Sequence, residues 1–92
     1  MADYRPRRLA TRFPVVLKGD DGEQRVMMRD ISIDGARVEV TEPILAGSAV
    51  SVTIGPSTLP ALIQWSRKGA VGLRFMERPD PQLIDLIPED ER

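Results

Sequence analysis

A chain of 92 residues, 41% apolar and with a net charge of −1, has room for one domain with one modest core and none for a catalytic domain beside a regulatory one. It contains no cysteine and no histidine, which excludes disulfides and thiolate metal sites and removes the commonest general base and zinc ligand. No apolar run approaches the roughly 20 residues needed to span a bilayer, the start has no apolar h-region of a signal peptide, and so small a domain without disulfides fits a reducing cytoplasm.

Residues 1–12 carry Arg5, Arg7, Arg8 and Arg12 against Asp3 alone, include Pro6 and offer little to bury; they are expected to form a flexible basic arm. Phe13 to Lys18 reads as a first strand, with Pro14 near its start where a missing N–H is tolerated. Asp20-Asp21-Gly22 is a hairpin turn signal, and Gln24 to Ile31 is the returning strand. After a second turn at Asp34-Gly35, Ala36 to Val40 alternates at period two, as a half-buried strand does. Glu42-Pro43 ends it. Ala49 to Ile54 alternates again, Gly55-Pro56-Ser57 turns, and Thr58 to Ser66 and Ala70 to Met76 follow as strands about the turn Arg67-Lys68-Gly69.

Beyond Pro79, Leu83, Ile84 and Ile87 fall at helical spacing, with Asp80 as N-cap, Pro81 at the first helical position and Pro88 as the stop; the last four residues are expected to fray. The tail from 77 to 92 is acidic. Short strands with turn residues between them favour a mainly all-β fold, a closed or nearly closed six-stranded antiparallel barrel, with a short C-terminal helix over an opening. The expected organisation is an arm over 1–12, a barrel over 13–78, and a helix with an acidic tail over 79–92.

Two constellations can carry chemistry. Arg8 and Arg12 are four apart, a spacing that puts two guanidinium groups on one face of either a helix or an extended segment. Each is a planar, permanently charged fork that grips phosphate or the O6/N7 edge of guanine bidentately. Asp30 and Ser32 are two apart at a predicted strand end and share a face, with Ile31 and Ile33 turned to the core. A carboxylate beside a hydroxyl offers acceptors to guanine N–H groups and a donor to phosphate or carbonyl oxygen. Gly35 permits a positive φ and lets a ligand approach bare backbone. Each constellation alone is also what a solvated arm or an ordinary turn contains.

Together, Arg8 and Arg12 in an RxxxR segment followed by Asp30, Ser32 and Gly35 in DxSxxG resemble the paired signature of the PilZ domain family. Arg7, the run Asp-Ile-Ser-Ile-Asp-Gly-Ala-Arg-Val, and Ala61-Leu62-Ile63-Gln64-Trp65 with Gly72-Leu73-Arg74-Phe75 extend the resemblance from about Arg7 to Met76. It implies a six-stranded β-barrel that binds cyclic di-GMP. By that resemblance Arg8 and Arg12 clamp phosphates and guanine edges, Asp30 and Ser32 hydrogen-bond a guanine, Gly35 offers backbone, and Arg7 adds charge. Trp65 reads either as rim or core packing, which a lone Trp favours, or as a surface on which a guanine stacks.

The expected function is thus a cytoplasmic, monomeric cyclic di-GMP receptor or adaptor. It has no cofactor and no metal, rearranges its N-terminal arm on binding ligand, and signals to a downstream protein. The main alternative is a PilZ-like protein–protein interaction module that ignores nucleotide. A single-strand nucleic-acid barrel is disfavoured by few aromatics and negative net charge. Catalysis is least expected, since the acids sit in turns and tail and Ser32 has no base but Asp30.

Overall fold

The computed structural model describes residues 8–90. Six strands, β1 (Leu9–Gly19), β2 (Gly22–Ile31), β3 (Gly35–Glu39), β4 (Ala49–Ile54), β5 (Ser57–Arg67) and β6 (Ala70–Phe75), precede one short helix, α1 (Pro81–Asp85). The strands close into an antiparallel barrel in the order β1-β2-β3-β6-β5-β4.

The alternation in the sequence explains the closure. Val15 and Leu17, Val26 and Met28, Val50, Val52 and Ile54, Leu59, Ala61 and Ile63, and Val71, Leu73 and Phe75 all point inward and are buried. A barrel of six strands is narrow enough for such side chains to fill it. Leu83 and Ile87 join this core from the C-terminal segment. Two-residue turns hold the β1–β2, β4–β5 and β5–β6 hairpins in register. At β4–β5, Ile54 pairs with Ser57 across Gly55-Pro56. Gly55 takes φ 57°, a left-handed value that a side chain there would resist, and the following proline holds the chain's return.

Two boundaries differ from expectation for physical reasons. β1 begins at Leu9 rather than Phe13, because Leu9 and Ala10 pair with Ile31 and Asp30. Of the expected 1–12 arm, residues 9–12 therefore belong to the barrel, and residues 1–7 lie outside the described residues. Of the last four residues, expected to fray, 91 and 92 lie outside the described residues, and the chain up to Asp90 is tied down: the Asp90 N–H donates to the Ala10 carbonyl at 2.8 Å and the Thr11 hydroxyl donates to the Pro88 carbonyl at 2.5 Å. β4 pairs with β1 only at Val16–Lys18, so the tail satisfies backbone at the otherwise open start of β1.

α1 is shorter than the expected 80–87 span. Asp80 caps it through a side-chain bond from the Gln82 N–H (2.9 Å) with Pro81 in the first turn, and the chain leaves at Leu86. Tighter backbone bonds from Leu86 N–H to the Leu83 carbonyl and from Ile87 N–H to the Ile84 carbonyl carry the turn onward to Ile87.

Three irregularities break the period-two rule, all at the level of Ala36 to Val38 of β3. Thr11 and Arg12 of β1 oppose Arg29 alone between the pairs Ala10/Asp30 and Phe13/Met28. Arg29 is in turn an extra residue of β2 against β3, between Met28/Val38 and Asp30/Arg37. Gln64 is extra in β5 against β6, between Ile63/Leu73 and Trp65/Gly72. A bulge of this kind re-aims the side chains beyond it. Counting by two from Met28 would send Asp30 inward, and counting from Ile63 would send Trp65 inward. The bulges instead leave Ile31 fully buried and bring Asp30 and Trp65 to the outer face.

Candidate functional site

Across the outer face, register sets Asp30 (β2), Arg37 (β3), Gly72 (β6) and Trp65 (β5) in one row. The neighbouring row carries Gly35 (β3) beside Arg74 (β6). These residues, with Arg8, Asp34 and Gln64, line one cleft of about 580 Å³, within the ordinary range of about 300–1,000 Å³ for small-molecule sites. Three arginines and two aspartates line it, so the cleft is cationic on a chain that is anionic overall.

Asp30 organises the charges. Its Oδ1 accepts from Arg8 Nη2 at 2.8 Å, and its Oδ2 lies 3.2 Å from Arg37 Nη2. The carboxylate side chain is 13% exposed, while the two arginine side chains are 53% and 54% exposed. One sunken acid thus holds two guanidinium groups at its two oxygens and leaves the rest of each fork facing solvent.

Gly35 and Gly72 are both demanded by close approach. A Cβ on Gly35 would stand 2.2 Å from the Leu73 carbonyl oxygen on the paired strand. The turn signal in the sequence suggests a positive φ at Gly35; the structure shows none there, and crowding against β6 is what requires glycine. A Cβ on Gly72 would fall 2.1 Å from Trp65 Nε1. The Trp65 indole therefore lies over the bare backbone of Gly72, and Arg67 stands above the ring at 5.3 Å from its centroid. Trp65 is rim packing and cleft wall at once, half-buried and facing the open volume.

Of the residues singled out from sequence, Arg8, Asp30, Gly35 and Trp65 meet in the cleft. Arg12 is exposed on the bulge of β1 and does not line it. Ser32 is 1% exposed. Its hydroxyl accepts from the Asp34 N–H at 3.2 Å and its own N–H donates to the Gly35 carbonyl at 2.8 Å, so it shapes the β2–β3 turn instead of facing the cleft. Ile33 is half-buried beside α1, not in the core. Arg7 lies outside the described residues. Sequence reasoning missed Arg37, Arg74 and Gln64. The signal for Arg37 was present: it is the outward residue between Ala36 and Val38, one strand from a glycine that leaves space.

Among the described residues no group of three His, Cys, Asp or Glu side chains could hold a metal ion, and no helix is long and apolar enough to cross a membrane.

Comparison with known families matches the PilZ domain model to residues 4–88. The crystal structure of the PilZ domain of CeSA from a cellulose synthesizing bacterium aligns with a TM-score of 0.66, covering 88% of this chain and 94% of that chain at 22% sequence identity. At that identity the likeness is one of fold. A search of curated proteins found no match.

Proposed function

The chain belongs to the PilZ domain family, and on that premise we propose that it is a non-enzymatic receptor for cyclic di-GMP whose outer-face cleft takes the ligand. The observation that carries the reading is the meeting of Arg8 and Asp30 with Arg37, Arg74 and Trp65 around one volume. Guanidinium forks suit the phosphates and the guanine edges of a doubly anionic dinucleotide. The Trp65 face suits base stacking, which tolerates any base and adds affinity. Arg7 contributes as the ligand draws the segment ahead of β1 over the cleft, and Arg12 adds positive charge from the bulge of β1. Ser32 acts through the turn that it holds.

The signal follows from Asp30. The Arg8 fork is engaged by the Asp30 carboxylate. A ligand phosphate or guanine edge competes for that fork, and the N-terminal segment moves with it. A second protein in the cytoplasm reads the rearranged segment. Isothermal calorimetry of the wild type and of the Arg8→Ala/Arg12→Ala double variant tests the assignment. Saturable binding of cyclic di-GMP by the wild type and loss of at least tenfold in affinity in the variant are expected. Undiminished affinity in the variant would remove the assignment.

A further inference from the structure

The row Asp30–Arg37–Gly72–Trp65 has a chemical order of its own: carboxylate, guanidinium, bare backbone, aromatic plane. Arg37 and Trp65 stand two strands apart, roughly 9–10 Å by ordinary strand spacing. Between them Gly72 has no side chain, and the Trp65 indole leans over it, close enough that a Cβ there would meet Nε1. A flat ring laid on the cleft side of the indole therefore presents its edge across Gly72 towards β3. Arg37, paired with Gly72 across β3 and β6, is the cleft-lining side chain that stands in that direction.

Arg37 is also preset for the task. The Asp30 Oδ2 holds it through Nη2 at 3.2 Å, and this uses only part of a planar fork with several N–H donors. A guanidinium is the planar fork that pairs bidentately with the O6 and N7 acceptors of guanine. Adenine replaces O6 with an amino donor, which a cation that only donates cannot satisfy.

We infer that Arg37 is the residue that makes the cleft select guanine over adenine, by reading the O6/N7 edge of a base stacked on Trp65 while it stays ion-paired to Asp30. The inference rests on the cyclic di-GMP reading and adds to it a specificity determinant outside the arginine pair at 8 and 12.

The test compares two ligands of equal charge and shape. The wild type, Arg37→Ala and Arg37→Lys are titrated by calorimetry with cyclic di-GMP and with cyclic di-AMP, and far-UV circular dichroism melts check that all three fold. The wild type is expected to favour cyclic di-GMP. Arg37→Ala is expected to lose about 10- to 100-fold in affinity for cyclic di-GMP and to change little towards cyclic di-AMP, so the ratio collapses. Lysine keeps the charge but not the fork, and is expected not to restore the ratio. Equal losses for both dinucleotides would mean that Arg37 meets phosphate or only supports Asp30, and would overturn the inference while leaving the receptor reading intact. An unchanged ratio with unchanged affinities would also overturn it alone. Binding of neither dinucleotide by the wild type would overturn both.

Discussion

Gly35 and Gly72 show how single missing atoms shape the cleft, and they fail differently when filled. At Gly35 the obstacle is the Leu73 backbone oxygen at 2.2 Å, which no rotamer change can move. Gly35→Ala must therefore separate β3 from β6, and a loss of about 1–3 kcal/mol in urea unfolding is expected; an unshifted midpoint at unchanged slope would contradict the packing argument. At Gly72 the obstacle is a side chain, the Trp65 indole. Gly72→Ala is expected to push the ring off the barrel with a smaller stability cost and to weaken cyclic di-GMP binding about tenfold. Trp65 is the sole tryptophan, so its emission reports the displacement directly: a red shift in the ligand-free variant is expected, and an emission maximum equal to wild type would argue against it.

At the scale of elements, the strands were legible wherever alternation ran unbroken. β4, from Ala49 to Ile54, has the bounds that its Val50-Val52-Ile54 pattern predicts, and α1 begins at the Asp80-Pro81 signal. Legibility ended at the bulges. Thr11-Arg12, Arg29 and Gln64 each shift the parity of the residues beyond them, and nothing in residue types alone marks a bulge. Counting by two puts Asp30 and Ser32 on one face; the turn after Ile31 sends the Ser32 hydroxyl to the Asp34 N–H instead. Arg37 and Arg74 were overlooked because an exposed arginine on a strand is ordinary until register sets it beside Asp30 and Gly35.

The tail contact was illegible for a related reason: an acidic terminus gives no hint that its backbone will close the start of β1. That contact can be tested. Thr11→Val keeps the shape and removes the donor to the Pro88 carbonyl. A loss of about 1 kcal/mol is expected, together with faster amide exchange at Asp90, whose N–H bonds Ala10; unchanged exchange there would show that the hydroxyl does not hold the tail.

For the whole molecule, the decisive property is that the cleft is not on one hairpin. Its walls come from β2, β3, β5 and β6 and from Arg8 just before β1, and in a closed barrel these strands cannot separate one at a time without opening the ring. A ligand held there binds only the native barrel and so stabilises all of it. At a hundredfold excess over Kd the gain is about 2.7 kcal/mol, which for a domain of this size raises the midpoint by roughly 10–20 °C. On the proposed reading, much of that gain would come from phosphates meeting exposed guanidinium groups, and exposed charges are screened by salt. The ligand-free barrel should be nearly indifferent to salt, because its core is apolar and its ion pairs at Arg8 and Arg37 are half-exposed. Melting with and without cyclic di-GMP at low and high salt separates the two. One cooperative transition is expected throughout, with a ligand-induced rise that shrinks as salt increases while the ligand-free midpoint hardly moves. A rise that is the same at both salt concentrations would mean that the ligand is held by stacking alone, and two resolved transitions would mean that the cleft and the barrel do not unfold as one unit.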